Sequence, residues 1–148
     1  MYSLRQATNN DHDFVFRLNV ATMKDYVRQT WGRWNQAEQT ARFSANFDPS
    51  SNRIIVADGE DVGVLRLEMR NTEIFLASIL IMPAYQGRGL GTAVVKDVLI
   101  QGKRMGLPVK LQVLKVNPAR RLYERLGFAV IGETETHYQM AYSENQVE

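Results

Sequence analysis

Two different periods of hydrophobic positions divide this chain into helical and extended regions. In most of the first third, apolar side chains recur every three or four positions, which places them on one face of an α-helix. The polar cluster Thr8–Asp11 supplies N-cap residues for a first helix that should run to about Gln29. Asn35, with Glu38 three residues later, resembles a capping box and predicts a second helix that ends before the first proline. A short strand over residues 2–7 precedes both helices.

The middle of the chain has the composition of β-strands. Residues 53–57, 62–70 and 73–81 are rich in β-branched and aliphatic side chains, and turn signals at Asp58-Gly59 and Asn71-Thr72 separate them. These three segments predict an antiparallel meander.

Helix and strand patterns alternate again in the last third. An apolar stripe that begins at Val94 predicts a helix ending near Gly106, and a strand is expected over residues 109–116. Asn117 as N-cap and Gly127 as a left-handed C-terminal cap delimit a further helix. Two final strands are predicted, at residues 128–131 and 137–142.

Length and composition favour one globular domain. The chain has 148 residues, of which 45% are hydrophobic and 23% charged, enough for a single sizeable core. We therefore predict an α/β (α+β) fold of one domain over residues 1–148, in which a central mixed, mostly antiparallel sheet of six to seven strands is flanked by about four helices.

Charge and composition exclude several kinds of partner and chemistry. The 18 basic and 16 acidic residues leave a net charge of +2, so neither nucleic acid nor a membrane is expected as a partner. The first residues lack a signal-peptide core and no apolar run is long enough to span a bilayer, which predicts a cytoplasmic protein. The absence of cysteine removes disulfides, thiolate metal sites and cysteine nucleophiles.

The triplet Asp11-His12-Asp13 carries side chains that could ligate a metal. Its position at a helix start is better explained by solvated charge near the positive end of the helix dipole. We predict no metal site.

A glycine-rich segment joins the third strand of the meander to the next helix. Gly87, Gly89 and Gly91 alternate there, the layout of a loop whose bare amides cradle a phosphate at a helix N-terminus. The spacing matches neither a Walker loop nor the dinucleotide pattern Gly-x-Gly-x-x-Gly, because Thr92 stands where its third glycine would be. An ordinary tight turn is the alternative, and it is less favoured because each ordered glycine costs about 0.5–1 kcal/mol.

Two motifs resemble those of a known family. Gln86-Gly87-Arg88-Gly89-Leu90-Gly91 resembles the Gln/Arg-x-x-Gly-x-Gly/Ala motif of the GNAT superfamily of acyl-CoA-dependent N-acetyltransferases. The block from Asn117 to Phe128 is similar to that superfamily's later motif, in the same strand-helix-strand setting. The resemblance implies a GNAT-like fold for the whole chain, with acetyl-CoA as cosubstrate.

The resemblance also implies roles for individual residues. Backbone amides of the glycine loop would bind the CoA pyrophosphate, and the strand before it would pair with the pantetheine arm and polarise the thioester carbonyl. Asn117 would hydrogen-bond the pantetheine, and Tyr123 would donate a proton to the sulfur. The cofactor-binding residues implied in this way are Ile79, Leu80, Ile81, Gln86, Gly87, Arg88, Gly89, Leu90, Gly91, Thr92, Asn117 and Tyr123.

Each of the last two residues also has an ordinary structural explanation. Tyr123 lies on the apolar face of its predicted helix and could be a core aromatic, although a phenol with a reference pKa of about 10 suits protonation of a departing thiolate. A helix cap alone would explain Asn117.

Without a cysteine or a Gly-x-Ser-x-Gly elbow, direct attack by an acceptor amine is the simplest reaction. Deprotonating a lysine-like amine at pH 7 costs about 4.6 kcal/mol, against about 1 kcal/mol for an α-amine. Glu68, Glu73 and His137 are candidates for a general base, with Glu68 slightly preferred. Taken singly, each glutamate is better explained as an ordinary solvent-facing strand residue than as a catalytic base.

An aromatic and basic segment between the first two helices predicts the acceptor pocket. Tyr26, Trp31 and Trp34 alternate there with arginines, a composition suited to a flat or anionic acceptor, and His137 is a further pocket candidate. Packing of the helix hairpin is the alternative explanation for these aromatic residues.

The function that these patterns favour is acetyl transfer from acetyl-CoA to a primary amine of a small molecule. A protein or peptide N-terminal acetyltransferase and a non-catalytic acyl-CoA-binding module are the alternatives. Arg120, Arg121 and Arg125 alternate with Glu124 and are interpreted as ordinary solvated charge, not a nucleic-acid surface. A homodimer is compatible with the family, and the acceptor, acyl length and oligomeric state stay open.

Overall fold

A computed structural model describes residues 1–143 of the chain. Its strands form one sheet in the order β1-β2-β3-β4-β5-β7-β6. β4 and β5 pair in parallel, whereas β1 with β2, β2 with β3, β5 with β7 and β6 with β7 pair antiparallel. The elements are β1 (Ser3–Gln6), α1 (His12–Trp31), α2 (Gln36–Asn46), β2 (Asn52–Ala57), β3 (Glu60–Met69), β4 (Ile74–Ile81), α3 (Leu90–Met105), β5 (Val109–Leu114), α4 (Ala119–Arg125), β6 (Ala129–Glu133) and β7 (His137–Tyr142).

The predicted fold class is confirmed, including the mixed, mostly antiparallel sheet and the four α-helices. Most element boundaries agree with the sequence patterns within two residues. The strand expected to reach residue 116 ends at Leu114, because the chain turns there to enter α4. Within residues 1–143, none of the helices is both long and apolar enough to cross a membrane.

The chain divides into two compact units. One contains residues 1–66 and 78–90, and the other contains residues 67–77 together with the chain from residue 91 onward. The prediction of a single domain over residues 1–148 stays a prediction.

In the first unit, α1 and α2 cover an apolar cluster. Its buried members come from α1, from strands β2 and β3 and from the residue after β1, and half-buried phenylalanines from α1 and from the end of α2 pack against them. Phe43 and Phe47 stack with ring centroids 5.3 Å apart, and Phe43 also lies 5.2 Å from Phe16 of α1. The buried members of the cluster are Ala7, Val15, Leu18, Ile54 and Val64.

The start of α1 is not the solvated charge cluster that the sequence suggested. Asp11 is buried, and both of its carboxylate oxygens accept hydrogen bonds from the guanidinium of Arg5, at 2.8 and 3.0 Å. The Thr8 amide also donates to Asp11 at 2.8 Å, completing a capping box. The expectation failed because Arg5 lies on β1, and only the fold brings this strand residue beside the helix start.

The predicted cap of α2 is present, with a different partner for its glutamate. The Asn35 side chain accepts from the Glu38 amide at 2.9 Å, as expected of an N-cap. The Glu38 carboxylate instead accepts from Arg33 at 2.8 Å.

In the second unit, α3 packs closely against the sheet. Val94, Val95 and Val98 are buried, which confirms the apolar stripe predicted for this helix. A Cβ at Gly102 would lie 2.9 Å from both the Leu107 carbonyl oxygen and a Val109 methyl, so glycine allows the approach of helix and strand.

One arginine of α4 departs from the solvated arrangement that the sequence suggested. The Arg120 guanidinium lies over the Tyr138 ring, 4.3 Å from its centroid, and its Nε is buried 3.4 Å from the Glu124 carboxylate. Stacking on an aromatic ring from β7 is a contact that helix periodicity alone does not reveal.

The ion pairs of Arg5 provide a matched test of burial. The Asp11 side chain is 9% exposed and that of Asp61, on the other side of Arg5, is 40% exposed. Asp11→Asn should lower the free energy of unfolding by about 1.5–3 kcal/mol, because a charged, part-buried hydrogen-bond network loses its acceptor charge. Asp61→Asn should cost about 0–1 kcal/mol, as solvent-exposed pairs do.

The stabilisation by the Arg5–Asp11 ion pair should depend on pH. Hydrogen bonds from Arg5 lower the pKa of Asp11, so its stabilisation is present above the unfolded pKa of about 3.9 and is lost as pH falls through the lower folded value. Denaturant unfolding of wild type and Asp11→Asn should therefore differ at pH 7 and converge at strongly acidic pH. A difference that persists unchanged at acidic pH would contradict the assignment.

Candidate active site

The glycine segment adopts a conformation that demands glycine at two of its three positions. Gly87 and Gly89 have φ angles of +76° and +80°, in the left-handed region that other residues rarely adopt. The Gln86 side-chain amide donates to the Ile81 carbonyl at 2.9 Å, which ties the segment to the end of β4. The Arg88 guanidinium lies 4.8 Å from the centroid of the Tyr85 ring.

Gly91 is different, because its own backbone does not require glycine. It is the second residue of α3 and is absent from the positive-φ positions, and a Cβ built on it would meet no atom within 4 Å. Glycine inside a helix costs up to about 1 kcal/mol relative to alanine. The first turn of a helix also presents amides without an intrahelical partner. The chain thus leaves open space beside anion-attracting amides.

β4, which leads into this segment, changes character along its length. Its first three residues pair in parallel with β5, from Ile74 opposite Val109 to Leu76 opposite Leu111. Ile74 and Leu76 are buried, whereas the residues from Ala77 to Ile81 are all half-buried. In the part of the chain that the structure describes, the register with β5 ends at Leu76, so the second half of β4 has no ladder partner in β5.

The close approach of β3 to this half of β4 also depends on a glycine. A Cβ at Gly63 would lie 2.5 Å from the Leu80 carbonyl oxygen. Gly63 therefore allows β3 to approach the backbone of the β4 segment that the family resemblance singles out. Sequence analysis missed this residue, because a lone glycine in a strand pattern carries no sign of what approaches it.

Asn117 and Tyr123 both lie where the second motif predicts, at α4. The Asn117 side-chain oxygen accepts from the Ala119 amide at 2.9 Å, so it caps the helix, and its amide nitrogen remains a donor. The Tyr123 ring is buried at 5.7 Å from Phe128, in an edge-to-face contact. Burial raises the pKa of Tyr123 to about 12. Its phenol is therefore neutral and able to donate a proton throughout the physiological range.

The two candidate glutamate bases share one arginine. Arg70 donates to Glu68 at 2.7 Å and to Glu73 at 3.0 Å. Glu73 also pairs with Lys110 at 3.1 Å, and its side chain is 14% exposed, against 41% for Glu68. Glu73 is thus clamped between two cations, and Glu68 is the more accessible carboxylate.

The third base candidate, His137, begins β7. Its Nδ1 lies 2.8 Å from the Thr136 hydroxyl, and its amide donates to the Thr134 hydroxyl.

A cavity of about 320 Å³ lies beneath α1 and α2 in the first unit. Trp34 lines it, as the sequence predicted for the acceptor pocket, but Tyr26 and Trp31 are not among its lining residues, and Trp31 is exposed. Ser78 and Leu80 of β4 also line it, on either side of Ile79. The cavity therefore adjoins the strand segment that the resemblance links to the thioester.

Sequence analysis did not identify several residues of this cavity. Arg42 and Arg66 line it together with Phe16 and Phe43. The one available signal was Arg66, a charge at the same parity as the apolar residues Val62 and Val64. The amphipathic pattern of α2 includes Arg42 and Phe43, but the pattern does not indicate that both line a cavity.

The side chains of the Asp11-His12-Asp13 triplet take different partners. Asp11 binds Arg5, while the two nitrogens of the His12 ring lie 2.9 Å from Asp13 and 2.9 Å from the Ser44 hydroxyl. In the part of the chain that the structure describes, no three histidine or carboxylate residues are grouped to hold a metal ion.

Comparison with known proteins gives the same assignment as the geometry. The chain is 30% identical over 88 residues to the ribosomal protein bS18-alanine N-acetyltransferase of Haemophilus influenzae, a match that spans 59% of this chain and 60% of that relative. Its fold is similar to PaiA N-acetyltransferase from Thermoplasma acidophilum, solved in complex with coenzyme A, with 14% identity, a TM-score of 0.75, and 97% and 99% of the two chains covered.

The fold is also similar to the ribosomal-protein-S18-alanine N-acetyltransferase of Escherichia coli, with 20% identity, a TM-score of 0.69, and 98% of each chain covered. The model of the acetyltransferase (GNAT) family matches residues 18–128, which include both motifs. The resemblance drawn from the glycine segment and α4 is thus confirmed: the chain belongs to the GNAT family of acetyltransferases.

Proposed function

We propose that this chain transfers an acetyl group from acetyl-CoA to a primary amine of a small molecule, by direct attack of the amine on the thioester. The observation that carries the proposal is the start of α3, where Gly91 leaves open space beside unpaired helix amides although its backbone does not require glycine. An anionic ligand that approaches the backbone explains both features.

The residues present fit coenzyme A. Amides from Gln86 to Thr92 would bind its pyrophosphate, and the accessible backbone of Ile79 to Ile81 would pair with its pantetheine arm. Asn117 can still donate from its side-chain nitrogen while its oxygen caps α4. The bound thioester supplies an activated acyl group that a neutral amine can attack.

Tyr123 is proposed as the proton donor to the departing thiol. With a pKa near 12 it stays protonated well above the pKa of about 8.5 of an ordinary thiol. The phenol would therefore give up its proton only as negative charge develops on the sulfur.

On the acceptor side, the amine must arrive neutral. Glu68 stays the preferred general base, since its carboxylate is the more exposed of the two that bind Arg70. Arg42 and Arg66 in the cavity wall also favour the uncharged amine, because a nearby cation lowers the pKa of an ammonium group.

The size of the cavity favours a small acceptor. At about 320 Å³ it lies at the lower end of the range for ligand pockets, about 300–1,000 Å³, and suits one compact molecule. A protein N-terminal amine is the second candidate, favoured by the 30% identity to an enzyme named for a ribosomal protein alanine. The cytoplasmic location and the homodimer expected from the sequence stay predictions.

Release of free thiol from acetyl-CoA, measured against a panel of amines and short peptides, tests the proposal. Turnover with one or more small amines is the expected result. Turnover only with peptides would move the assignment to the second candidate. Tight CoA binding without turnover of any acceptor would indicate a non-catalytic acyl-CoA-binding module.

Substitutions in the glycine segment separate folding from ligand binding. Gly91→Ala should raise the free energy of unfolding by about 0.5–1 kcal/mol, since alanine favours the helix and meets no atom. Gly89→Ala should lower it by about 1 kcal/mol, because its φ of +80° strains a side-chain-bearing residue.

Gly91→Leu should keep the helix stable but place bulk where the phosphates bind. We expect calorimetry to show at least a tenfold loss of CoA affinity for this variant, with a thermal midpoint at or above that of wild type. Unchanged CoA affinity in Gly91→Leu would remove the α3 N-terminus from the proposed donor site.

Tyr123→Phe tests the proton donor. We expect kcat to fall by about 10²-fold or more, the usual contribution of a positioned general acid, while CoA affinity changes little. Tyr142→Phe is the matched control, because Tyr142 also packs against Phe128, at 5.9 Å, without a proposed role in catalysis. Equal losses in the two variants would mean that Tyr123 acts through packing.

The raised pKa of Tyr123 also predicts a pH effect on stability. Burial favours the neutral phenol, so wild-type stability should be unaffected by this group below about pH 10 and should fall between about pH 10 and pH 12, by up to about 3 kcal/mol. Denaturant unfolding of Tyr123→Phe over that range should lack this component. Parallel pH profiles for wild type and variant would contradict the assignment.

A further inference from the structure

The cavity beneath α1 and α2 has an apolar row and a polar row on its floor. Ile54 of β2 pairs with Val64 of β3, and both belong to the apolar cluster of the first unit. Two residues away on the same strands, Asn52 pairs with Arg66, and both of these line the cavity. Because side chains two apart on a strand share a face, Arg66 stands at the end of the apolar row and on the helix-covered side.

The walls supply a second cation. Arg42 of α2 lines the same cavity, and its guanidinium forms no hydrogen bond or ion pair with residues 1–143. Asp48 is the only carboxylate among the lining residues. Its oxygens already accept hydrogen bonds from the Ser50 amide, the Ser50 hydroxyl and the Ser51 hydroxyl, at 2.7 to 3.0 Å. The lining thus contains two guanidinium groups and one carboxylate that already accepts hydrogen bonds from its own loop, which leaves a net positive charge.

The roof is aromatic. Phe16 of α1 and Phe43 of α2 lie 5.2 Å apart and both line the cavity, next to Trp34, whose indole nitrogen donates to Gln36. Rings at this position suit a flat or apolar body, and the planar guanidinium group suits the two oxygens of a carboxylate. An acceptor selected only as a cationic amine would instead call for carboxylates in the wall.

We propose that the acceptor is a small amine that also carries a carboxylate: Arg66 and Arg42 bind the carboxylate, Phe16 and Phe43 cover its apolar body, and the amine faces Ser78 and Leu80 on β4. This inference rests on the proposed acetyl transfer and names the substrate class of that reaction. Specificity arises because the two cations attract the carboxylate and repel acceptors whose only charge is an ammonium group.

A matched pair of acceptors tests the inference by turnover. L-Phenylalanine and its amide share ring and α-amine and differ in the carboxylate. With acetyl-CoA we expect at least a tenfold higher kcat/KM for phenylalanine, even though its amine is the more basic of the two and thus less often neutral. Equal values, or preference for the amide or for peptides, would overturn the inference.

Arginine variants test whether Arg66 and Arg42 cause the preference for an acceptor that carries a carboxylate. Arg66→Gln and Arg42→Gln should each raise KM for phenylalanine about tenfold or more and leave the amide nearly unchanged. Arg53→Gln is the control, since Arg53 is exposed on β2 and does not line the cavity. CoA affinity serves as the check on folding for every variant. If Arg66→Gln fails this check, Arg42→Gln and Arg66→Lys provide the test instead. Arg66→Lys should keep part of the preference for phenylalanine over its amide, because lysine keeps the charge without the planar guanidinium.

Binding of 3-phenylpropionate, which has the ring and carboxylate but no amine, gives a readout that needs no turnover. Calorimetry in the presence of CoA should show binding that Arg66→Gln or Arg42→Gln weakens about tenfold and that Arg53→Gln leaves intact. Such binding in a chain without acetyl transfer would overturn the proposed function and keep the anion site. Acetylation of amines that lack a carboxylate, unchanged by substitution of Arg42 or Arg66, would support the proposed function and overturn the anion site.

Discussion

The site depends on a constraint on the backbone of β4. Each peptide group of a strand must have its amide and carbonyl satisfied, and β5 provides partners for β4 through Leu76 only. From Ala77 onward the described residues show no ladder pairing with β5, so this edge of the strand can pair with a partner outside the sheet. The partner proposed for this edge is the extended pantetheine arm of acetyl-CoA, which would take the place of a strand. The glycine segment that follows β4 then directs the chain into α3, whose first amides are also unpaired.

The site proposed for the acceptor depends on side-chain charge and not on backbone hydrogen bonding. The floor of the cavity continues the apolar cluster of the first unit and then changes to Asn52, Arg66 and Ser78. Arg66, half-buried at the end of an apolar row, has a partly desolvated setting, in which a carboxylate is a stronger partner than it would be in water. In the proposed reaction, Arg66 and Arg42 also favour the neutral form of the attacking amine, so binding of the acceptor and its activation draw on one electrostatic arrangement.

Much of this protein could be predicted from local patterns. The order of helices and strands, the caps at Asn35 and Asn117, and the left-handed Gly127 after α4 depend on neighbouring residues, and the structure confirms them. Contacts between distant segments could not be predicted in this way. Asp11 was expected in solvent because its partner Arg5 lies on β1, and Arg120 because its partner Tyr138 lies on β7.

The sequence by itself determined the family and the proposed donor half of the site, because the glycines of the loop form a contiguous stretch that is visible in the chain. Only the tertiary structure shows the cavity proposed for the acceptor. Arg42, Arg66 and Ser78 belong to three separate elements, α2, β3 and β4, and each has an unremarkable local pattern. Side chains from separate elements form a cavity only after the elements pack, so its charge and shape are properties of the fold and not of any segment.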